Sequence, residues 1–112
     1  MAVTAKPLFE STQLGTSAST LYTAPTSTKT IIDKFTVTNT DSSARTVTIH
    51  LVPSAGSAST ANKIIDALSI AANTAVEIEQ LKNHILAAGG FISALASSAA
   101  VVNARASGRE IT

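Results

Sequence analysis

The chain has no cysteine and no tryptophan, and 112 residues carry only one tyrosine, three phenylalanines and one methionine. Without cysteine, neither a disulfide framework nor a thiolate metal site can form. Tyr22, Phe9, Phe35 and Phe91 are too few and too scattered to make a base-stacking platform. Charge is scarce as well: 13% of residues are Asp, Glu, Lys or Arg, against roughly 25% in an ordinary soluble domain. Eight basic and seven acidic residues leave a net charge of +1. The basic residues never gather into the run or stripe that a polyanion requires, which argues against nucleic-acid binding.

Two further absences bear on compartment. No apolar stretch of signal-peptide length opens the chain, and no Asn-x-Ser/Thr sequon occurs, so synthesis in a cytosol is expected. Ile85 to Ala104 lacks any charged residue and is long enough to span a bilayer. However, Gly89, Gly90, Ser93, Ser97, Ser98 and Asn103 interrupt it, and alanine makes up half of the rest. Two buried strands joined by a Ser-Ala turn account for the run better than a membrane span.

What fills the space is Ala, Ser and Thr, with thirty Ser and Thr together. Ser-rich sequence can signal disorder, but disordered chains are poor in aliphatics. Here Ile, Leu and Val recur throughout, in short alternating segments. The length suits one domain with a real core. Residues 1–16 hold few aliphatics and read as an N-terminal arm or edge strand, leaving 17–112 as the folded body.

Alternation marks the strands. Ser19–Thr23 is a short one, closed by Pro25. Lys29–Thr38 is the clearest, with Ile31, Phe35 and Val37 on one face and Lys34, Thr36 and Thr38 on the other. Asp33 breaks the inward set and is expected near the strand's exposed end. Arg45–Val52 repeats the pattern, with Val47, Ile49 and Leu51 inward and Thr46, Thr48 and His50 outward. The Asn39–Ser43 segment between them has turn chemistry, so the two strands are expected to pair as a hairpin.

Downstream, Pro53 ends a strand and Ser54–Thr60 reads as a flexible loop with nothing to pack. Asn62–Ile70 is a further strand. The next segment admits two readings. Thr74-x-x-Glu77 matches a capping box, and Ile78, Leu81 and Ile85 follow at helical spacing. Val76 and Ile78 alternating with Glu77 and Glu79 suit a strand equally well. Ala75–Gln80 is therefore read as a strand and Leu81–Ala88 as a short helical turn, with a single helix over 75–88 as the alternative. Gly90–Ser97 and Ala100–Ala106 complete the set, with Val102, Ala104 and Ala106 facing opposite to Val101, Asn103 and Arg105. Gly108 is a candidate bulge. Strands at intervals of about ten residues point to an all-β fold, a single antiparallel β-sandwich or jelly roll.

Few residues could carry chemistry. His50 sits among outward threonines and His84 in a polar turn, and no nucleophile elbow accompanies them. Glu77 and Glu79 share a strand face but lack the dense oxygen ligands of a calcium loop. Gly89-Gly90 precedes a strand, not a helix, so it cannot cradle a phosphate. No catalytic, cofactor-binding or metal-binding residue is assigned, and no enzyme activity is expected.

Several segments nevertheless resemble a group of small virion proteins of tailed bacteriophages. Leu21-Tyr22-Thr23-Ala24-Pro25 matches the group's Leu-Tyr-Thr-x-Pro opening. Ile31–Asn39 and Thr46–Pro53 match the two strands that follow, the second with its Val-Thr-hydrophobic-His-hydrophobic segment. Leu86–Ile92 is similar to a later Leu-x-x-Gly element, with Gly90 where the group has an acidic residue. Ala106–Glu110 resembles its terminal Ser-Gly-x-Glu strand. The resemblance covers about residues 20–111 and rests on structural punctuation rather than reactive groups.

It implies a β-sandwich in the virion after synthesis in the host cytoplasm, most simply a capsid decoration or cement subunit. The alternative it allows is a tail, collar or fibre component that binds a host carbohydrate receptor. Expected partners are copies of the chain and other virion proteins, a major capsid or tail protein, with no nucleic acid, membrane or cofactor. Leu8, Phe9, Leu14 and Tyr22 are the expected assembly contacts.

Overall fold

The computed structural model describes residues 2–112. Nine strands run β1 (Val3–Gln13), β2 (Ser19–Thr23), β3 (Lys29–Asn39), β4 (Arg45–Val52), β5 (Lys63–Ile70), β6 (Thr74–Glu77), β7 (Ile85–Leu86), β8 (Phe91–Ala96) and β9 (Val102–Ile111). Short 3-10 turns at Thr60–Asn62 and Glu79–Leu81 are the only helical pieces among the described residues. One sheet has the order β1-β9-β3-β6, with β7 also on β3, and the other has the order β2-β8-β4-β5.

These orders follow from one antiparallel ribbon rolled up. The chain runs out through β1 to β4 and returns through β5 to β9, so that β4 pairs β5, β3 pairs β6 and β7, β2 pairs β8 and β1 pairs β9. Winding the ribbon makes β9 pair β3 and β8 pair β4 as well. That is a jelly roll, two Greek keys in a double sheet. The expected all-β sandwich is the fold observed.

The winding overturns one local expectation. β3 and β4 do not form a hairpin, because they belong to opposite sheets. The turn chemistry was correctly placed, but it serves an arch between layers. Asn39 is fully buried there. Its Nδ2 donates to the carbonyls of Ser43 and Ile70 at 3.0 Å, and its Oδ1 accepts from Asp41 N at 2.9 Å. One side chain thus holds the arch to the end of β5. Two alternating strands with a short polar link look the same in sequence whether they pair or face each other.

The core lies between the inner faces. Phe35, Val37, Val102, Ala104 and Ala106 come from the first sheet, and Val47, Ile49, Ile92, Ala94 and Ala96 from the second. The opposite facing of Val102, Ala104 and Ala106 from Asn103 and Arg105 matches expectation. Ala106 pairs with Phe9 on one side and Phe35 on the other. Because its methyl is small, the two rings meet beside it edge-to-face, centroids 5.6 Å apart and planes at 67°. Such pairs add about 0.5–1.5 kcal/mol beyond the area they bury.

The strand reading over 75–80 holds in its first part: β6 spans Thr74–Glu77, and no helix covers 75–88. The helical turn falls earlier than expected, at Glu79–Leu81, because Ile78 and Leu81 are both core residues and the tight turn brings both inward. Ser54–Thr60 also departs from expectation, since it packs over the outer face of β4. His50 is 4% exposed under it. The Nδ2 of Asn62 donates to Ser57 O at 2.9 Å, which orients the amide so that Oδ1 accepts from Ser59 N at 3.0 Å. His50 Nδ1 lies 3.0 Å from that same Oδ1 and 3.1 Å from Ser59 O. Two acceptors around one ring nitrogen require that Nδ1 carry the hydrogen.

Candidate functional site

Bulges decide which residues reach the surface. In β3 the register against β9 shifts between Ile32 and Lys34, so Asp33 is an extra residue. A one-residue insertion moves the side chains before it to the other face. Ile32, with no exposed surface, is therefore the core residue. Ile31 turns outward, against the expectation that it lies with Phe35 and Val37. Asp33 is not at a strand end either: it sits mid-strand, where both carboxylate oxygens accept from Arg109 at 2.9–3.1 Å. The bond to Asp33 and its charge raise the Arg109 pKa further above its already high value.

Gly108 itself stays in register. The bulges lie in its neighbours, at Asp33 in β3 and Leu8 in β1. A Cβ on Gly108 would stand 2.2 Å from the Ile31 carbonyl oxygen. Glycine is needed here for close backbone approach rather than for a bulge of its own.

Register now assembles an apolar patch on the outer face of the first sheet. Val3 pairs Ile111, which pairs Lys29. In the adjacent outward row, Ala5 pairs Arg109, Arg109 pairs Ile31, and Ile31 pairs Ile85. Ile85 is 62% exposed and Val3 56%, the exposed large hydrophobics among the described residues. Both fall in these two rows. Arg109 and its partner Asp33 stand inside the second row, and Ile31 and Ile111 are half-buried, so the patch is apolar surface around one ion pair. Clustered exposed apolar side chains mark a contact site more often than scattered ones do.

Two clefts adjoin the patch and share Ala87. One, of about 260 Å³, is lined by Leu51, Pro53, Ser54, Ile85 and Leu86 among others. The other, of about 410 Å³, lies between Thr28, Lys29, Ala88 and Ile111. Gly89 closes the loop between them with φ +82°, and a Cβ there would meet Ser54 Oγ at 2.5 Å. As expected, Gly89-Gly90 leads into a strand, β8.

The expected assembly contacts lie elsewhere. Leu8 and Leu14 are 7% and 1% exposed, inside the domain's own core, and half-buried Phe9 stacks on Phe35. Tyr22 is a polar tie between the sheets: its hydroxyl bonds Glu110 Oε2 at 2.5 Å and Thr30 Oγ1 at 2.8 Å. Burial first, then the bond to Glu110, pushes its pKa up to about 12. Leu8, Phe9 and Leu14 are turned to the protein's own interior because β1 and the residue after it lie along β9 as an edge of the same domain, and Tyr22 reaches in from β2 of the other sheet.

The remaining candidates are not brought together. His50 is covered on strand β4, and His84 is exposed in the turn before β7 of the other sheet. Glu77 ends β6 and Glu79 opens the following turn, with buried Ile78 between them. Among the described residues no three His, Asp or Glu side chains gather as a metal site would require, and no helix is long and apolar enough to cross a membrane. The uncharged 85–104 run is divided among β7, β8 and the start of β9.

What sequence reasoning missed was Ile31, Ile85, Val3 and Ile111 as surface. One signal was available: a charged residue in the middle of an alternating strand, as Asp33 is, marks a bulge as readily as a strand end. Comparison with protein-family models, with curated proteins and with solved structures found no match.

Proposed function

We propose that this chain is a non-enzymatic structural protein of a bacteriophage virion, a decoration or cement subunit of the capsid. The observation that carries the proposal is the apolar patch of Val3, Ala5, Ile31, Ile85 and Ile111 on the outer face of a jelly roll with little charge. Jelly rolls recur in capsid proteins, an argument from fold analogy. The resemblance of residues 20–111 to small phage virion proteins points the same way.

Gradient-purified particles analysed by mass spectrometry and immunogold labelling test this. The expected result is label over the shell, at a copy number commensurate with the shell protein. Absence of the protein from the particles overturns the proposal.

A second reading, a tail, collar or fibre component binding host carbohydrate, has one observation in its favour. A polar groove of about 240 Å³ on the same sheet is lined by Ser11, Thr36, Thr38, Asn103 and Arg105, and Asn103 Oδ1 is buried there without a hydrogen-bond partner. Label confined to the tail together with a positive glycan array would favour this reading over decoration.

A further inference from the structure

β1 is held to the domain through one side of its backbone and a few side chains. It is the edge of its sheet, and β9 is its sole strand partner among the described residues. Within Val3–Gln13 only Leu8 is buried and Phe9 half-buried, while every other side chain is exposed. The polar contacts run the same way: Lys6 to Glu110, Glu10 to Arg105, and Gln13 Nε2 to the carbonyl of Ala100.

The seat beneath β1 is nevertheless specific. A Cβ on Gly108 would lie 3.1 Å from Leu8 Cδ1, so Leu8 rests in the gap that the glycine leaves. Phe9 meets Phe35 beside Ala106. Buried Leu14 donates its N–H to Val102 O at 2.8 Å. None of these partners lies on β2, the strand to which β1 is joined. The join itself is slack. Gly15, Thr16, Ser17 and Ala18 are exposed, and an atom added to Gly15 would meet nothing within 4 Å. Four extended residues span at most about 14 Å, more than the roughly 10 Å between sheet layers. The link therefore suits β1 on its own β9 or on the β9 of a molecule alongside. No cysteine fixes the strand in place.

We propose that β1 is exchanged between copies of this chain, residues 2–14 of one molecule seating along β9 of the next. Fit sets the occupant: Leu8, Phe9, Lys6 and Glu10 match Gly108, Phe35, Glu110 and Arg105, and a second copy presents the same segment. These contacts re-form between molecules, so closed and exchanged forms differ in the course of residues 15–18 and in the entropy of association. Crowding of copies on a shell offsets the latter. Reciprocal exchange gives a closed dimer and one-way exchange an open chain. Pro7 and the two bulges of β1 blunt its outer edge against addition of a further strand, which leaves exchange as the way this edge joins molecules. The proposal rests on the virion reading for where copies are concentrated, and it names a contact between them.

The test places one disulfide at either end of the strand. Val3 stands in register with Ile111, and Gln13 with Asn103, about 30 Å apart along β1. Directly opposed residues are within reach of a disulfide, and the natural chain has no cysteine to compete. Particles carrying Val3→Cys/Ile111→Cys, or separately Gln13→Cys/Asn103→Cys, are oxidised and run on denaturing, non-reducing gels. Exchange predicts that most of the disulfide joins two chains in both variants, as a dimer band or a ladder. Monomer bands with an internal disulfide in both variants overturn exchange while the virion reading stands. Linked chains at one end of the strand and internal bonds at the other would reveal a surface contact between closed copies, which also overturns it. If the protein is absent from particles, the virion reading falls, and the same two variants oxidised in concentrated solution decide exchange by the same bands.

Discussion

Tyr22 of one sheet donates its phenolic hydrogen to Glu110 of the other across 2.5 Å, while Thr30 Oγ1 stands 2.8 Å from the same oxygen. Lys6 approaches Glu110 from the edge strand at 3.5 Å. Two elements of the first sheet, β3 and β9, therefore meet β2 of the second at a single hydroxyl, and β1 reaches the same carboxylate through Lys6. The tie sits at the open side of the sandwich, where β1 lies over β2 and no further strand closes the core.

The hydroxyl should titrate late and couple to stability. Its pKa is raised to about 12 from the ordinary 10.0, burial being the main cause. A folded pKa above the unfolded one means the stabilisation is complete below about pH 10 and is lost as pH rises towards 12. As Tyr22 is the only tyrosine and tryptophan is absent, phenolate absorbance reports it alone. The expected midpoint is near 12 in the folded protein, and Tyr22→Phe should abolish the steeper part of the alkaline stability loss. A midpoint near 10 would show that the tie does not form.

Removing the hydroxyl should also loosen the two sheets. Tyr22→Phe leaves buried Thr30 and part-buried Glu110 each short of a partner, a loss of about 1–3 kcal/mol. Urea denaturation checks the magnitude, and an unchanged midpoint would count against it.

Asn39 offers a sharper comparison. Asn39→Ala should cost about 2–3 kcal/mol by stranding the carbonyls of Ser43 and Ile70 and the N–H of Asp41. Asn39→Asp should cost more, although it is nearly isosteric, because a carboxylate would face carbonyl oxygens in a site with no exposed surface. Equal midpoints for Asn39→Asp and wild type would mean the arch is not held as described.

Two glycines should respond oppositely. Gly108→Ala forces a methyl against the Ile31 carbonyl at 2.2 Å, backbone that cannot yield cheaply, so a loss of about 3 kcal/mol or more is expected. Gly15 has nothing within 4 Å of the same added atom. Gly15→Ala should therefore be neutral or raise stability by up to about 1 kcal/mol, through the unfolded chain's entropy. Thermal melts of the two variants decide both points.

The loop over β4 should open when its amide is removed. Asn62→Ala deletes the acceptor shared by Ser59 N and His50 Nδ1 and the donor to Ser57 O. Limited proteolysis should then cut within 54–61 faster than in wild type while the global melting midpoint changes little. Cleavage at the wild-type rate would show the loop to be held by other contacts.

Periodicity was enough to make the sandwich legible. Val47, Ile49, Val102, Ala104 and Ala106 alternate with polar neighbours, and burial of one face follows from that pattern alone. Pro25, Pro53 and the Asn39–Ser43 turn marked strand ends for a similarly local reason, backbone geometry and side-chain bonds to the nearby main chain. The surface was less legible, because the face a residue takes depends on every bulge before it. Ile31 and Ile32 are chemically alike, and only the extra residue at Asp33, held by Arg109 from a strand seventy-six positions away, decides which one is core.

The composition and the alternation of this chain by themselves determined an all-β domain with a hydroxyl-rich, weakly charged exterior, since burying alternate side chains requires only neighbouring strands of any origin. The tertiary structure alone decided which strands those were. Rolling the ribbon put β3 and β4 in opposite sheets, drew Leu8, Leu14 and Tyr22 inward, and left Ile31 and Ile85 on the outer face. Pairing is set by hydrogen-bond register and layer packing between distant segments, and neither leaves a local mark in sequence.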